Sequence, residues 1–251
     1  MNEEDFPIYI IVGPARSGTT YLASLLSHKE VCYIEEPNII WMYRNASAQD
    51  DCLSEANASP PIIRYIRRQF WKKLRANDCK VLLEKTPSNC LRLPFVKCVF
   101  PQARYLFVER NVNDIATSAF KKWTKEEDAN TARLYGGGHK RRHILLMARR
   151  FLKVSLLDVV HYWPKLIQEL SFFILGKRRR QWGPRYYGFA QDLDELSVNE
   201  ICLKQARACQ LAMSEFRSSL RANEFITVHY DDMKQTPDKV AAIVRNFMDL
   251  S

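Results

Sequence analysis

An eight-residue turn near the start of the chain, Gly13-Pro14-Ala15-Arg16-Ser17-Gly18-Thr19-Thr20, separates an apolar β-like run, Ile8 to Val12, from a helix-like run, Tyr21 to Ser27. A strand that feeds a glycine turn into a helix N-terminus builds an anion cradle. Backbone N–H groups point into the turn, and the helix dipole favours negative charge there. The Gly-x4-Gly spacing is that of a phosphate loop. A triphosphate-hydrolysing loop continues with Lys and then Ser or Thr, which reach the outer phosphates and hold Mg²⁺. In this chain Thr19 and Thr20 follow Gly18, and the positive charge comes earlier, at Arg16. The turn is expected to hold a phosphate without metal-assisted triphosphate hydrolysis, and no metal site is expected.

Further short apolar runs follow at Val31 to Ile34, Cys79 to Leu83, Arg104 to Val108 and Phe225 to His229. Helical patterns lie between them: a turn at Asn38 to Tyr43, then Ile62 to Leu74, Phe95 to Phe100, and Asn111 to Trp123 with Asn111 or Asn113 as its cap. Gly136-Gly137-Gly138 reads as a joint before a long helical stretch over 140–176, and two more helices span Leu196 to Arg221 and Thr236 to Phe247. The polar segment Asn45 to Pro61 is expected to be a mobile surface loop. Strands alternating with helices predict an α/β fold: a single domain over 1–251, a P-loop-like three-layer sandwich with a parallel sheet of about five strands and helices on both faces. A helical insertion or lid is expected over about 124–190. Ligands of such sheets bind at the carboxyl ends of the strands. The phosphate turn, Glu35/Glu36, Glu84/Lys85 and Glu109/Arg110 each directly follow a strand, so they converge on one rim.

Composition narrows the partners. The formal charge is +10 over 251 residues, which favours an acidic ligand or surface. Aromatic residues are not interleaved with Lys and Arg as in a nucleic-acid site, so no nucleic acid is expected. The apolar-then-basic stretch over 171–180 admits peripheral membrane contact, though a lid or pocket wall is the preferred reading. Seven cysteines form no Cys-x-x-Cys pair, and read as reduced, mostly buried side chains. The acidic start of the chain does not resemble a signal peptide, so a cytoplasmic location is expected.

Three ordered motifs then carry a resemblance. Gly13 to Leu22 resembles the 5′-phosphosulfate loop of sulfotransferases, and Glu84-Lys85-Thr86-Pro87 resembles a second signature of that family. Phe100 to Arg110, with Ser118 and Trp123 downstream, is similar to its 3′-phosphate-binding motif. Trp182-Gly183-Pro184-Arg185 and His229 to Met233 resemble later segments of bacterial members. The resemblance implies the donor 3′-phosphoadenosine 5′-phosphosulfate (PAPS), the product 3′,5′-diphosphoadenosine (PAP), and transfer of a sulfuryl group to a hydroxyl or amine of an acceptor. It implies that Arg16, Ser17, Gly18, Thr19 and Thr20 hold the 5′-phosphate, that Arg110 and Ser118 hold the 3′-phosphate, and that Trp182 and Arg185 approach the nucleotide. Arg16 would also neutralise charge on the leaving phosphate, and Lys85 would contact the transferring group. No His follows Lys85, so the base is expected to be acidic: Glu36, with Glu35 as the alternate on the acceptor side. Thr86 and Asn89 are expected to line the acceptor pocket. His229 is read as a core histidine, and Asp231 and Asp232 as structural. Members usually extend beyond the last helix, so a chain that stops at Ser251 is expected to be either a short version or one in which a missing segment leaves the site more open.

Two other classes stay open from the residues alone. A P-loop kinase would need a substitute for the missing lysine and a metal-holding carboxylate. A catalytically weak relative would bind an anionic glycan or lie on a membrane.

Overall fold

The computed structural model describes residues 5–135 and 182–250. The glycine joint, the expected 140–176 helix and the 171–180 stretch lie outside the described residues, as does most of the expected insertion.

Five strands form one sheet: β1 (Ile8–Val12), β2 (Val31–Glu35), β3 (Val81–Lys85), β4 (Arg104–Glu109) and β5 (Phe225–His229). Their order is β2-β3-β1-β4-β5, and every pairing is parallel. All five residues of β1 are buried, as befits the middle strand of a sheet covered on both sides. Alternate residues serve opposite faces. Ile8, Ile10 and Val12 join one core, while Tyr9 and Ile11 join the other.

On the first face lie α2 (Asn38–Trp41), α3 (Pro60–Ala76) and α4 (Leu93–Val99). The buried side of α3 is Ile62, Ile66, Phe70 and Leu74, a four-residue spacing that puts one apolar stripe against the sheet. Trp41 anchors this core, with its ring 5.1 Å from Phe70 and 5.9 Å from Phe100. On the second face α1 (Thr19–Leu25) packs beside α9 (Pro237–Phe247). A third cluster joins α5 (Val112–Tyr135), α6 (Phe189–Glu195) and α7 (Val198–Ser218) through Trp123, Phe189, Ile201 and Cys202. The short α8 (Tyr230–Gln235) follows β5 directly. Asn111 caps α5, its Oδ1 accepting from the Asn113 amide at 2.9 Å. Ser197 and Glu200 form a capping box on α7.

The polar segment after α2 is not a solvated loop. Ala46 and Leu53 enter the first core, and Glu55–Asn57 is a 3-10 turn. Asp51 is buried and receives the Arg185 backbone amide at 2.9 Å and Arg185 Nη2 at 2.8 Å. Burial alone would raise the Asp51 carboxyl, but the guanidiniums of Arg185 and Arg92 outweigh it and hold it below its usual range. The Asp51 carboxylate and the carbonyls of Ala48, Gln49 and Asp50 tie the segment to Arg185, which polar composition cannot reveal.

Two changes test these supports. Asp51→Ala strands the Arg185 guanidinium and is expected to cost about 3 kcal/mol in denaturant unfolding. That difference from wild type should begin to narrow as pH falls below about 4, where the unfolded carboxyl protonates, and close only below the lower value at which the folded carboxylate takes its proton. Gly18 sits at φ 104°, and a Cβ there would lie 2.5 Å from the Tyr230 ring. Gly18→Ala is therefore expected to lower stability by roughly 1–3 kcal/mol, read as a lower denaturation midpoint.

Candidate active site

β1 releases its chain at the centre of the sheet's carboxyl edge. β3 ends on one side of it and β4 on the other, so the turn after β1 has both neighbours at hand. The Ser17 amide donates to the Pro14 carbonyl at 3.1 Å, and left-handed backbone at Arg16 (φ 73°) and Gly18 bends the chain into α1. Gly13 is needed for closeness, because a Cβ there would lie 2.5 Å from Ser17 Oγ. Ser17 Oγ is buried with no hydrogen-bond partner, and so is Arg110 Nε. Buried polar atoms are normally satisfied. Two unpaired donors beside a strand-turn-helix cradle fit the oxygens of a phosphate.

The 3′-phosphate candidates meet this turn. Arg110 Nη1 donates to the Arg16 carbonyl at 2.9 Å, and Arg16 Nε donates to Ser118 Oγ at 3.2 Å. The Arg110 guanidinium lies 4.1 Å from the Tyr230 ring centroid, a cation–π contact. Tyr230 thus touches Arg110 and also packs where a Gly18 side chain would point. Thr19 is buried and Thr20 exposed on the first turn of α1. Beside Arg110 opens a cleft of about 370 Å³ lined by Glu109, Gln210, Arg217, His229 and Tyr230. Arg217 pairs with Glu109. His229 is exposed at 59% and sits 3.6 Å from Glu109, so it is a rim residue rather than a core histidine. Asp231 and Asp232 are exposed in the first turn of α8.

On the other side, Lys85 closes β3. Its side chain is only 2% exposed, yet its ammonium lies 2.7 Å from Glu36 and 3.1 Å from Glu35. The parallel register places Glu35 beside Lys85. Glu36 adopts φ 46°, and its amide donates to the Lys85 carbonyl at 2.8 Å. Behind this trio Glu84 is fully buried. It accepts from Trp41 Nε1 at 3.0 Å, from Asn89 Nδ2 at 2.8 Å and from the Thr86 hydroxyl. Burial pushes its carboxyl up to about 7, against the pull of those donors and of Arg92 and Lys85.

Some sequence expectations need correction. Thr86 and Asn89 are fully buried and bind Glu84, so they do not line an acceptor pocket. Arg185 is engaged by Asp51 and by the carbonyls of Ala48, Gln49 and Asp50, so its guanidinium serves the fold and not a nucleotide. Trp182 packs on Trp123 at 6.2 Å. With Pro14 and Ala15 it walls a small cavity beside the phosphate turn. The sequence reading missed Trp41, Asn38 and Arg92 behind Lys85, and Gln210, Arg217 and Tyr230 around the cleft. Tyr230 stands inside the His229 to Met233 segment and Asn38 two residues after Glu36, while Trp41, Arg92, Gln210 and Arg217 lie outside the quoted motifs, with no local pattern to mark them.

A sequence model of the sulfotransferase family matches residues 7–153, more than half of the chain. Solved structures agree in fold. The sulfotransferase domain from the curacin biosynthetic pathway superposes with a TM-score of 0.56 at 13% identity, covering 99% of this chain and 75% of that one. The sulfotransferase domain of the Synechococcus PCC 7002 olefin synthase gives a TM-score of 0.54 at 12% identity, over 100% of this chain and 75% of that one. A sulfotransferase from Alicyclobacillus acidocaldarius gives 0.53 at 13% identity, over 98% and 82%. No curated protein sequence matches the chain. Its central β-turn-α unit, its parallel five-stranded sheet and the match over 7–153 together show that the chain belongs to the sulfotransferase family.

Proposed function

We propose that the protein transfers a sulfuryl group from PAPS to a hydroxyl, or an amine, of a small molecule or glycan. The observation that carries this reading is one rim holding both halves of such a site. The phosphate turn with the unpaired Ser17 and Arg110 donors lies at its centre, and the Lys85–Glu35–Glu36 trio lies at the end of the adjacent strand.

Ser17, Thr19, Thr20 and the amides of the turn would hold the 5′-phosphate at the α1 N-terminus. Arg110 and Ser118 would take the 3′-phosphate side, where Arg110 offers a planar fork of donors. The cleft beside Arg110 has room for nucleoside atoms. The acceptor oxygen attacks sulfur in line, forming a new S–O bond while the S–O bond to the 5′-phosphate breaks, and PAP leaves. Glu36 receives the acceptor proton. Lys85 and Arg16 stabilise charge on the sulfuryl oxygens and on the leaving phosphate. The unpaired cysteines fit a reducing compartment such as the cytoplasm.

Calorimetric titration tests the donor. PAP is expected to bind much more tightly than ADP without metal, and Arg110→Ala should abolish PAP binding while far-UV circular dichroism stays unchanged. Equal binding of PAP and ADP, or Mg²⁺-dependent ATP turnover, would favour a phosphotransferase instead. Glu36→Gln is expected to lower PAP release in a screen of hydroxyl acceptors by about 10²–10⁴-fold while leaving PAP affinity intact.

A further inference from the structure

A closed ring of hydrogen bonds stands directly behind the Lys85–Glu36 pair. Glu84 Oε1 accepts from Trp41 Nε1 in α2, and Glu84 Oε2 accepts from Asn89 Nδ2. Asn89 Oδ1 accepts from Arg92 Nε at 2.8 Å, and Arg92 Nη2 donates to Asn38 Oδ1 at 2.9 Å. Asn38 opens α2 and Trp41 closes it, so the ring grips this four-residue helix at both ends. The residue two before α2 is Glu36. The Asn38 amide donates to the Glu36 carbonyl at 2.7 Å. Glu36 holds a left-handed backbone conformation that a side chain disfavours, and such a conformation persists only where surrounding contacts impose it.

We propose that Glu84 is a positioning residue whose ionised carboxylate holds α2 and so keeps Glu36 on Lys85, and whose protonation loosens that grip. The donor arithmetic gives the reason. An ionised carboxylate only accepts, which suits three donors at once. A proton is taken up on Oε1, where the Thr86 hydroxyl can turn to accept it. Asn89 cannot turn over to take it on Oε2, because its Oδ1 is committed to Arg92. The neutral carboxyl is then a weaker acceptor for the Trp41 indole on the protonated oxygen and for the Asn89 amide, and the ring loosens at Trp41. Arg92 faces the carboxylate from the start of α4, Lys85 from its own strand and Tyr33 from β2, with Asp51 beyond Arg92. Burial of this carboxyl brings its protonation to near-neutral pH, within the range in which the protein stays folded.

Its consequence for turnover rests on the reading of Glu36 and Lys85 as the transfer pair, but the positional claim does not need an acceptor. The experiment is nitrogen-15 NMR of the Trp41 indole and of the Lys85 ammonium between pH 5.5 and 8.5, with Trp41→Phe used to assign the indole. Both resonances are expected to move together, with one midpoint near neutral pH. Glu84→Gln, which carries an NH₂ where the protonated acid carries its proton, should freeze both at their low-pH positions. A Trp41 shift that Lys85 does not follow, or no shift in either, overturns the proposal. If Glu84→Gln does not fold, Thr86→Val decides: loss of a donor to the ionised form should raise the shared midpoint by about one pH unit, and an unmoved midpoint overturns the proposal. PAP titration of wild type at pH 5.5 and 8.5 keeps the donor reading separate. Absent PAP binding with intact co-titration would defeat the sulfotransferase reading and leave the positioning role standing.

Discussion

Two adjacent charges of opposite sign, Glu84 and Lys85, lie buried at the end of β3, and each must be neutralised or hydrogen-bonded to stay there. Strand geometry sends neighbouring side chains to opposite faces, so one partner set cannot serve both. Glu84 gathers Trp41, Thr86 and Asn89 on the side of the first core. Lys85 gathers the acidic turn after β2. The position of α2, the 3-10 turn at Pro87–Leu91 and the left-handed Glu36 follow from those two demands.

The other half of the rim obeys a different rule. There the phosphate turn depends on backbone shape: left-handed Arg16 and Gly18, and a Gly13 that lets Ser17 come close. Arg110 braces the turn through the Arg16 carbonyl while keeping Nε unpaired. Tyr230, directly after the neighbouring strand β5, packs its ring against the guanidinium. One side of the rim thus spends its charges on internal neutralisation, and the other keeps donors for an anion. The asymmetry suits the proposed sulfuryl transfer, in which the donor brings negative charge and the acceptor gives up a proton.

Much of the fold was legible because its signals are local. Five apolar runs of strand length became five strands, and the Phe225–His229 run matched its strand at both ends. The stripe of Ile62, Ile66, Phe70 and Leu74 became the buried side of α3. The rim was legible where it consists of motifs on strand ends, since Arg16, Ser17, Lys85 and Arg110 all lie along the sheet's carboxyl edge. It misled where polarity was taken for exposure. Thr86, Asn89 and Arg185 are polar residues in or beside motifs, and they serve buried networks whose other members include Trp41, 43 positions from Glu84, and Asp51, 134 positions from Arg185.

The sequence by itself determined the α/β alternation, the phosphate turn and the strand-end charges, because period, glycine placement and strand-to-helix order act over a few residues. Tertiary structure alone decided which carboxylates face Lys85, which residues close the ring around Glu84, and that Tyr230 completes the Arg110 side. Those choices depend on strand order and register. In a sheet ordered β2-β3-β1-β4-β5 the neighbours of a strand are set by packing of the whole domain, not by proximity along the chain.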